Sequence, residues 1–420
     1  MDLEAWETAL RVAVLAAGAR ALAGLLEDIG CGHRLEQVFC ACGQTMESQG
    51  LKSKPFLSIM GWVSYRRSMF RCPSCKATRY PGDEALDIVG TSRSPGLRRM
   101  IARAGSRSTF KDARDDLKVY AGVEVSAKDA ERVAEAVGED MERWAARERE
   151  TLIMQEPPLR PKGSIPVLYI SYDGTGVPMV AAALQDRKGK QPDGSSVTRE
   201  AKLGCVFMQT ATDEKNRPIR DPVSTSFVGA IETAEVFGGR IYAEAVRRGL
   251  FTARKVVVLG DGSAWIWNIA QLHFPEATQI IDLYHVREHL SELCRLLGGS
   301  KQVIIERRNE YWDMLDAGDV ESILSAARRA LPEDPDTREK AETELGYFKN
   351  NRNRMRYARF RALGLFVGSG VIEAGCRTVI GQRLKHSGME WSVRGANAII
   401  ALRCVFQSGR LEDYWEHRAA

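Results

Sequence analysis

The segment that decides the fold is Leu168-Tyr-Ile-Ser-Tyr-Asp173-Gly-Thr-Gly176, in which an apolar run ends in Asp-Gly. A second run has the same form, Val256-Val-Val-Leu-Gly-Asp261-Gly-Ser263. Each run predicts a buried strand, and the glycine after each aspartate predicts that the backbone turns away there. We therefore expect the carboxylates of Asp173 and Asp261 to emerge from strand ends, although Asp-Gly at such a place is also the ordinary composition of a turn.

A third acidic residue, Glu373, lies in Gly368-Ser-Gly-Val-Ile-Glu373-Ala-Gly375. It follows a glycine-rich breaker and opens a helical pattern. By itself such a glutamate is better explained by a solvated helix face. Together, Asp173, Asp261 and Glu373 predict a cleft whose carboxylates hold two Mg²⁺ or Mn²⁺ ions about 4 Å apart, an arrangement that cuts phosphodiester bonds in nucleic acid.

Strand and helix patterns alternate around the two aspartates. Strands are predicted at 167–172, 203–210 and 255–259, and a helix at 232–248. This order predicts an α/β sheet, of which several kinds fit. Five basic residues between the first two strands fit either a grip on phosphates or an ordinary exposed loop: Arg187, Lys188, Lys190, Arg199 and Lys202.

The string Asp282-Leu-Tyr-His285 follows a short apolar run and precedes a helical pattern that contains His289. Asp282 is placed to cap that helix. His285 and His289 are one helical turn apart, so they fit either a second metal site or two hydrogen-bonded histidines. Asp282 also competes with Asp261 for the role of second metal ligand, and the glycines on both sides of Asp261 favour Asp261 because they allow close approach of the backbone to a cleft.

These strings, in this order, resemble those of the DDE transposases of bacterial insertion sequences, of the ISKra type that is related to the Mutator-like transposases. The shared strings are Asp173-Gly-Thr-Gly-Val-Pro178, Gly260-Asp-Gly-Ser-Ala-Trp-Ile266, Asp282-Leu-Tyr-His285 and Gly368-Ser-Gly-Val-Ile-Glu-Ala-Gly-Cys-Arg377. The resemblance covers most of the chain, from the cysteines near residue 40 to Trp415. Each string is short, and their common order is what makes the resemblance specific.

The resemblance implies a ribonuclease-H-like catalytic core with Asp173 on the first strand, Asp261 after the fourth, and Glu373 on a late helix beyond an all-helical insertion. It implies a DNA transposase that binds the ends of its own element, hydrolyses a phosphodiester bond and joins the 3′-hydroxyl to target DNA. Its partner would be double-stranded DNA, and His285 would lie beside the catalytic cleft. Because two ends are processed together, the resemblance also implies a homodimer or a larger synaptic assembly. Two alternatives stay open: a ribonuclease-H-like nuclease without strand transfer, and a non-catalytic DNA-binding regulator of transposase descent.

The composition fits a soluble enzyme of several domains. The chain has 420 residues, with 60 Lys and Arg against 55 Asp and Glu, so only local clusters of charge argue for nucleic acid. No apolar run is expected to span a bilayer. The Ala- and Leu-rich stretch from Val12 to Leu26 has the look of a signal peptide, but Asp2, Glu4 and Glu7 precede it where positive charge is required. We expect an amphipathic helix that packs on a neighbour, in a bacterial protein of the cytoplasm that associates with the nucleoid.

Four of the nine cysteines lie in two close pairs, Cys40-Ala-Cys42 and Cys72-Pro-Ser-Cys75. Two such pairs predict a structural Zn²⁺ ribbon with four thiolate ligands, in a reducing compartment, rather than a disulfide framework. Gly43 follows the first pair as a tight turn requires, and residues 56–71 alternate as a hairpin does. The first pair is one residue shorter than usual, so Cys31 or His33 stays open as a substitute ligand. The alternative is a set of buried free thiols.

The region after the ribbon has a helical pattern with one break. One helix begins at Ser108 with a capping residue, Gly122 ends it, and Ser126 caps the next. Helix, glycine turn and helix predict a helix-turn-helix, whose second helix would place Lys128 and Arg132 in the major groove of DNA. The many acidic residues here keep a plain helical hairpin open.

Helical patterns also fill the region from Glu288 to Leu365. Within it, residues 349–361 are basic, contain no acidic residue and have aromatic residues interleaved, which favours contact with a DNA backbone over a solvated helix face. The DNA contacts predicted in this half of the chain are Arg354, Arg356, Arg359, Arg377, Lys385 and His386. Arg377 lies one helical turn beyond Glu373 and is expected to orient it or to neutralise developing charge.

The predicted divisions of the chain are an amino-terminal helix (1–30), a zinc ribbon (31–88), a helix-turn-helix-like DNA-binding region (89–155), a linker (156–166), the first part of the core (167–285), a helical insertion (286–365), and the second part of the core with a carboxy-terminal helix (366–420). The linker is recognised by its prolines, which fit neither a helix nor a central strand.

Overall fold

The computed structural model describes residues 2–29, 37–154, 165–185 and 196–419. It has a mixed α/β, multidomain fold, as predicted. The chain divides into two compact units, Met1–Val137 and Gly138–Ala420, and the division falls within one long helix. Most of the predicted linker, 156–164, lies outside the described residues.

A three-stranded antiparallel sheet forms the centre of the first unit. Its strands are β1 (Glu47–Ser58), β2 (Gly61–Arg71) and β3 (Thr78–Arg79), in that order across the sheet. The first two form the predicted hairpin, in which Gly61 takes the φ of +112° that the tight turn needs. Helix α1 (Leu3–Ile29) packs on this sheet through one stripe, Ala19, Leu22, Ala23 and Leu26, against Phe56, Val63, Tyr65 and Ile88.

The first half of α1 is exposed, with Leu3, Trp6 and Leu10 at 68%, 61% and 67% exposure. The expected packing on a neighbour is therefore confined to the second half.

The stretch Leu3–Glu27 has a mean hydropathy of 1.7 and is long and apolar enough, by length and composition alone, to cross a membrane. The expectation that no apolar run is that long was therefore wrong. The acidic residues near its start argue against a signal peptide, but they do not make the stretch too polar to cross a membrane. Packed helices of soluble proteins and signal sequences pass the same test, so this property does not place α1 in a membrane.

Two turns bring the four predicted zinc ligands together. The Sγ atom of Cys40 lies 3.4 Å from that of Cys75, and the Sγ atom of Cys42 lies 3.5 Å from that of Cys72. All four atoms lie within 4.8 Å of one another. Sulfurs around a tetrahedral Zn²⁺, at about 2.3 Å from the ion, are about 3.8 Å apart, so this cluster can hold one zinc ion. Cys31 and His33 lie outside the described residues, and the four thiols make a complete ligand set without them.

The shorter first pair is accommodated by a tighter turn of the same kind. The N–H of Cys40 donates to the carbonyl four residues later, and that of Cys72 to the carbonyl five residues later, both at 2.8 Å. The residue after each pair takes the left-handed conformation, with φ +83° at Gly43 and +62° at Lys76. The backbone N–H of Cys75 lowers the pKa of the Cys72 thiol to about 6, which favours the thiolate that binds metal.

Helices complete the first unit. They are α2 (Pro81–Ala85), α3 (Pro95–Arg107), α4 (Phe110–Asp116) with a π turn at Leu117–Ala121, and the start of α5 (Ala127–Ile153). Thr109, rather than Ser108, caps α4, because its hydroxyl accepts the N–H three residues later at 3.1 Å, while Ser108 ends α3. Gly122 ends the helical run at φ +67°, and Ser126 caps α5 through the N–H three residues later at 3.0 Å, both as predicted.

A mixed sheet of six strands forms the centre of the second unit. The strands are β4 (Ile165–Pro178), β5 (Thr198–Thr212), β6 (Pro218–Arg220), β7 (Ser226–Ala230), β8 (Ala253–Gly260) and β9 (Thr278–Ile281). Their order is β6-β5-β4-β8-β9, and β7 also pairs with β5. Strand β4 is antiparallel to β5 and parallel to β8, and β9 is parallel to β8.

Strand β4 is longer than the sequence predicted. Asp173 lies within it rather than at its end, because antiparallel pairing with β5 continues to Pro178. The segment Gly174-Thr-Gly176, predicted as a turn, is strand because its partner extends that far. Parallel pairing with β8 stops at Ser171, however. Asp173 therefore lies just beyond the point where its parallel neighbour ends, and Asp261 directly follows the end of that neighbour.

Helices fill the rest of the unit. Those between and after the strands are α6 (Ala234–Arg247), α7 (Ala264–His273), α8 (Leu283–Leu296), α9 (Lys301–Ala317), α10 (Val320–Arg329), α11 (Pro335–Asn351), α12 (Tyr357–Ala362), α13 (Gly370–Gly375), α14 (Gln382–Leu384), α15 (Val393–Gln407) and α16 (Leu411–Ala419). The region 286–365, all of which is described, contains no strand. This helical insertion enters and leaves the core at one place, where the N–H of Leu283 donates to the carbonyl of Val367 at 2.9 Å.

The basic residues predicted between the first two strands do not form an accessible group in the described structure. Arg187, Lys188 and Lys190 lie outside the described residues, and Arg199 is part of β5. Lys202, also in β5, is only 8% exposed, and its ammonium group pairs with Glu200. Lys202 is thus a residue of the core because the strand is longer than predicted.

The four-cysteine cluster should carry about one Zn²⁺ per chain in protein purified without chelator. Cys72→Ser should lose most of the metal, because Cys72 is the fully buried member of the cluster, and should lower the unfolding temperature of the amino-terminal unit. Elemental analysis and thermal unfolding measure the two effects.

Cys294→Ser, a change of a buried thiol in α8, is the matched control and should keep the zinc. Cys31→Ser and His33→Ala should keep it too. Wild-type protein without zinc would contradict the site, and loss of zinc in the Cys31 or His33 variant would reassign a ligand.

Candidate functional site

Asp173 and Asp261 lie close together where β4 and β8 part. Burial raises the pKa of Asp173, and the charge of Asp261 raises it further. The N–H of Gly174, which donates to Asp173 at 2.6 Å, lowers the pKa, but the net shift is upward. Asp261 accepts the N–H of Ser263 at 2.7 Å. Two half-buried carboxylates that disfavour each other's charge create a site that a divalent cation relieves.

Asp282 is a structural carboxylate. It is 1% exposed, and its two oxygens accept the backbone N–H groups of His285, at 2.8 Å, and of Ser369. Its own N–H donates to the carbonyl of Gly260 at 2.8 Å. The capping role expected for Asp282 is therefore present, and metal ligation would have to break these bonds. Asp261 stays the predicted second ligand.

Glu373 is connected to Asp282 through one residue. The hydroxyl of Ser369 donates to Oε1 of Glu373 at 2.7 Å, while the N–H of Ser369 donates to Asp282. Glu373 is exposed on α13, which packs on β4 and β5. One turn further on, the thiol of Cys376 donates to Asp173 at 3.8 Å. The helix with Glu373 therefore lies on the sheet face that carries Asp173.

The residues present suit a hard divalent cation. Asp173, Asp261 and Glu373 offer carboxylate oxygens, which are the ligands that Mg²⁺ and Mn²⁺ prefer. Two ions about 4 Å apart share such a set of ligands in enzymes that cut phosphodiester bonds.

His285 lies beside both aspartates. Burial lowers its pKa, but the carboxylates of Glu288, Asp282 and Asp261 outweigh that effect and raise it. The positive charge of His285 in turn lowers the pKa of Asp173. Its Nδ1 atom lies 3.3 Å from Glu288. His285 is thus placed to bring positive charge to the rim of the carboxylate site.

His289 has other partners. Its Nδ1 atom lies 2.8 Å from Glu344 of α11, and its ring stacks on Tyr347 with centroids 4.0 Å apart. His285 and His289 therefore face different carboxylates in the described structure, Glu288 and Glu344.

Three predicted DNA contacts lie near the end of the helix that carries Glu373. Lys385, His386 and Arg377 are all exposed. The ammonium group of Lys385 donates to the hydroxyl of Thr175, on the same strand as Asp173. His386 bonds through Nε2 to the carbonyl at 382, at 2.6 Å. Lys385 thus brings positive charge close to Asp173, and the contacts with DNA stay predictions.

The basic segment 349–361 differs from its predicted form. Tyr357 and Phe360 are 0% and 5% exposed, so they do not interleave with basic residues on a surface. Arg354 is half-buried, with Nε 2.7 Å from Gln279 and the guanidinium 4.5 Å from the ring of Trp267. The aromatic residues pack inward because they fall on the apolar face of a short helix, which composition does not reveal.

Two of the three predicted arginines remain accessible. Arg356 and Arg359 are exposed, and Arg359 lines an open hollow of about 460 Å³ together with Arg354 and Asn353. This pair, rather than the triplet, is the part of the segment that is available to a phosphate backbone.

The predicted recognition helix carries mixed charge. Lys128 pairs with Glu131 at 2.6 Å, and Asp129 pairs with Arg93 at 2.8 Å. Arg132 is exposed one turn beyond Lys128. The positions fit a helix that approaches DNA by its first turns, but the acidic neighbours reduce the positive charge available there.

Sequence reasoning missed Ser369, Cys376 and Tyr347. Ser369 stands between two glycines, which marked a breaker but concealed the hydroxyl that holds Glu373. Cys376 lies within the last of the shared strings, and its thiol faces Asp173. Gly262 was the signal for Tyr347, because a Cβ there would lie 2.0 Å from the ring: the space beside this glycine holds a tyrosine and is not open.

Asp173→Asn should stabilise the metal-free protein. The pKa of Asp173 is raised in the folded state, so ionising this carboxyl group in the folded protein costs free energy. This cost is absent below the unfolded pKa of about 3.9, grows as pH rises toward the folded pKa, and is complete at pH 7. The amide removes this cost, so Tm at pH 7 should rise, by a few degrees at most.

Scanning fluorimetry with and without Mg²⁺ measures this, and the variant should also lose stabilisation by the ion. The rise in Tm should shrink toward pH 4. Asp313→Asn, on the exposed side of α9, is the control and should change neither quantity. A metal-free variant less stable than wild type would contradict the assignment of repulsion to this pair.

Comparison with known proteins gives one family match, one relative and one solved structure. The model of an uncharacterised protein family, UPF0236, matches residues 249–418, a stretch that contains Asp261, His285 and Glu373. A relative from Streptococcus gallolyticus, "UPF0236 protein in vanSb 3′region", is 22% identical over 384 residues, which cover 89% of this chain and 77% of the relative. A solved structure, the Drosophila P element transposase strand transfer complex, aligns over 80% of this chain and 84% of its own chain with 10% identity and a TM-score of 0.23, which is too low to establish a shared fold.

Proposed function

We propose that this protein is a DNA transposase with a ribonuclease-H-like catalytic core. It binds the ends of its own element, hydrolyses a phosphodiester bond and joins the resulting 3′-hydroxyl to target DNA. The observation that carries the proposal is the end of parallel pairing between β4 and β8 at Ser171, beyond which Asp173 and Asp261 emerge close together and their like charges repel.

The strand order supports the proposed core. Strands β6 and β7 both pair antiparallel with β5, so they form one interrupted strand at that side of the sheet. Counted in this way, the order across the sheet is the third, second, first, fourth and fifth strand of the chain, with the first three antiparallel and the last two added in parallel. A helix that follows an all-helical insertion then brings Glu373 to the same sheet face as Asp173. This order of strands and acidic residues is the one that a ribonuclease-H-like enzyme with an insertion requires.

In the proposed reaction, Asp173, Asp261 and Glu373 hold two divalent ions, which would activate the attacking oxygen and stabilise the leaving oxygen. The remaining work belongs to positioning by the chain. Ser369 fixes Glu373 by a hydrogen bond, and Lys385 and His285 place positive charge where a phosphate backbone would approach the carboxylates.

The amino-terminal unit is proposed to bind the element ends through α4, α5 and the zinc ribbon. Two ends must be processed together, so we propose a homodimer or a larger synaptic assembly on double-stranded DNA. The eight cysteines in the described residues are free thiols. They fit the proposed place of action, the cytoplasm of a bacterium at its nucleoid.

The proposed function is tested by incubating the protein with duplexes from the DNA that flanks its gene, in Mg²⁺ and in Mn²⁺. Cleavage followed by joining of the 3′ end to a second duplex is the expected result. Cleavage without joining would make the protein a nuclease, and binding without either step would make it a DNA-binding regulator. Absence of both binding and cleavage would overturn the proposal.

Asp261→Asn should abolish cleavage and strand transfer and leave end binding nearly intact, because it removes a charge that holds divalent metal. Asp282→Asn is the matched comparison. Asparagine has one oxygen and one NH₂ in place of the two oxygens, so one of the two backbone N–H groups loses its acceptor. Stability should therefore fall by about 1–3 kcal/mol, while the chemical rate of the folded fraction changes little. Single-turnover cleavage and thermal unfolding of both variants measure this. Robust cleavage by the Asp261 variant, with none by a folded Asp282 variant, would reverse the two roles.

Arg356→Gln with Arg359→Gln should weaken DNA binding to all sequences alike and reduce the slope of log affinity against log salt by about 2, or about 0.9 for each lost phosphate contact. Arg338→Gln with Lys340→Gln, on the first turns of α11, is the charge-matched control and should change the slope less. Arg354→Gln should instead lower stability, because Arg354 bonds to Gln279 and stacks on Trp267. An unchanged slope in the double variant would make this segment a solvated surface.

A further inference from the structure

The side chain of Tyr347 presents a buried hydroxyl that has no hydrogen-bond partner in the described structure. Tyr347 lies on α11, in the helical insertion, and its ring is held on one side by stacking on His289, with 21° between the ring planes. Since Glu344 holds His289 at 2.8 Å, the orientation of the tyrosine ring is fixed from within the insertion.

The other end of Tyr347 reaches the carboxylate site. A Cβ at Gly262 would lie 2.0 Å from Cε2 of Tyr347 and 2.9 Å from its hydroxyl oxygen. Gly262 directly follows Asp261, so the hydroxyl lies against the backbone of the turn that carries this predicted metal ligand. Gly262 is therefore glycine because the tyrosine occupies the space of its side chain.

The surroundings of the hydroxyl make it a hydrogen-bond donor. Burial raises the pKa of Tyr347, and the charges of Asp261, Glu344 and Asp282 raise it further, so the group stays protonated at neutral pH. Phenylalanine would provide the same stacking and the same cover over Gly262. A buried hydroxyl without a partner costs free energy that phenylalanine would avoid, so packing alone does not account for the oxygen.

We propose that Tyr347 is a positioning residue for the carboxylate of Asp261. Its hydroxyl donates a hydrogen bond to Asp261 when that carboxylate turns to hold a divalent cation, and so the helical insertion orients a ligand of the core. The inference rests on the proposed function of the carboxylate site. Groups that hydrogen-bond a metal ligand fix its direction and raise the affinity for the ion.

The test is Tyr347→Phe in the full-length protein, with Mn²⁺ as the probe of binding and single-turnover cleavage of an element-end duplex as the second measurement. The variant keeps the ring, so its Tm without metal should equal that of wild type or exceed it. Its dissociation constant for Mn²⁺ should rise about 10-fold or more, and the cleavage rate at subsaturating metal should fall by a similar factor.

Tyr357→Phe is the matched control, because it also removes a buried hydroxyl near the site, one that donates to the carbonyl of Ile281 at 3.1 Å. It should lower Tm and leave Mn²⁺ affinity unchanged. Gly262→Ala, which pushes the ring of Tyr347 away, should weaken Mn²⁺ binding as Tyr347→Phe does, and should add little further loss when combined with Tyr347→Phe at equal folded fraction.

Equal Mn²⁺ affinity in wild type and Tyr347→Phe, in a wild-type protein that binds Mn²⁺ and cleaves DNA, would overturn the role of Tyr347 and leave the proposed function standing. A Tyr347→Phe variant that loses Tm and Mn²⁺ affinity together would make the residue structural and would also overturn it. Wild-type protein whose Mn²⁺ binding is indifferent to Asp261→Asn and that does not cleave would overturn the function and the inference with it.

Discussion

The arrangement of the site depends on the buried carboxylate of Asp282. It accepts two backbone N–H groups, from the first turn of α8 and from Ser369, and the N–H of Asp282 donates to the carbonyl of Gly260 at the end of β8. Backbone donors can hold a buried negative charge without a cationic partner, as they do at helix amino termini. Three separate segments are thereby fixed at one point, and the acidic residues on either side of it, Asp261 and Glu373, take their positions from that point.

The two aspartates near this point have opposite environments. Asp282 is fully buried and hydrogen-bonded within the chain, so it contributes to stability, whereas Asp173 is half-buried beside Asp261 and its ionised form costs free energy. Local conflict of this kind is typical of functional sites, where stability is given up for a geometry that a ligand completes. Asp173 and Asp261 are also the more accessible of the three aspartates, because both are half-buried while Asp282 is 1% exposed.

The sequence predicted the parts of this structure that depend on local pattern. Apolar runs indicated the central strands, the cysteine pairs indicated a cluster, and Asp282 was expected to cap a helix. The length of β4 was missed because strand length depends on the partner strand, and the burial of Tyr357 was missed because composition does not give the face of a short helix. The link from Asp282 through Ser369 to Glu373 joins residues far apart in the chain, and no local signal reports such contacts.

The hydrogen bond between Leu283 and Val367 gives the helical insertion the topology of a closed loop on a stem. Its two ends are already adjacent, so the core does not need the intervening helices to bring them together. Lengthening such a loop adds little closure entropy, and replacing it by a short turn would not stretch the sheet. We therefore expect the segment to accept insertions and deletions while the strands keep their pairing. What a shortened chain would lose are the contacts that the segment makes with β9, from Arg354 to Gln279 and from Tyr357 to Ile281.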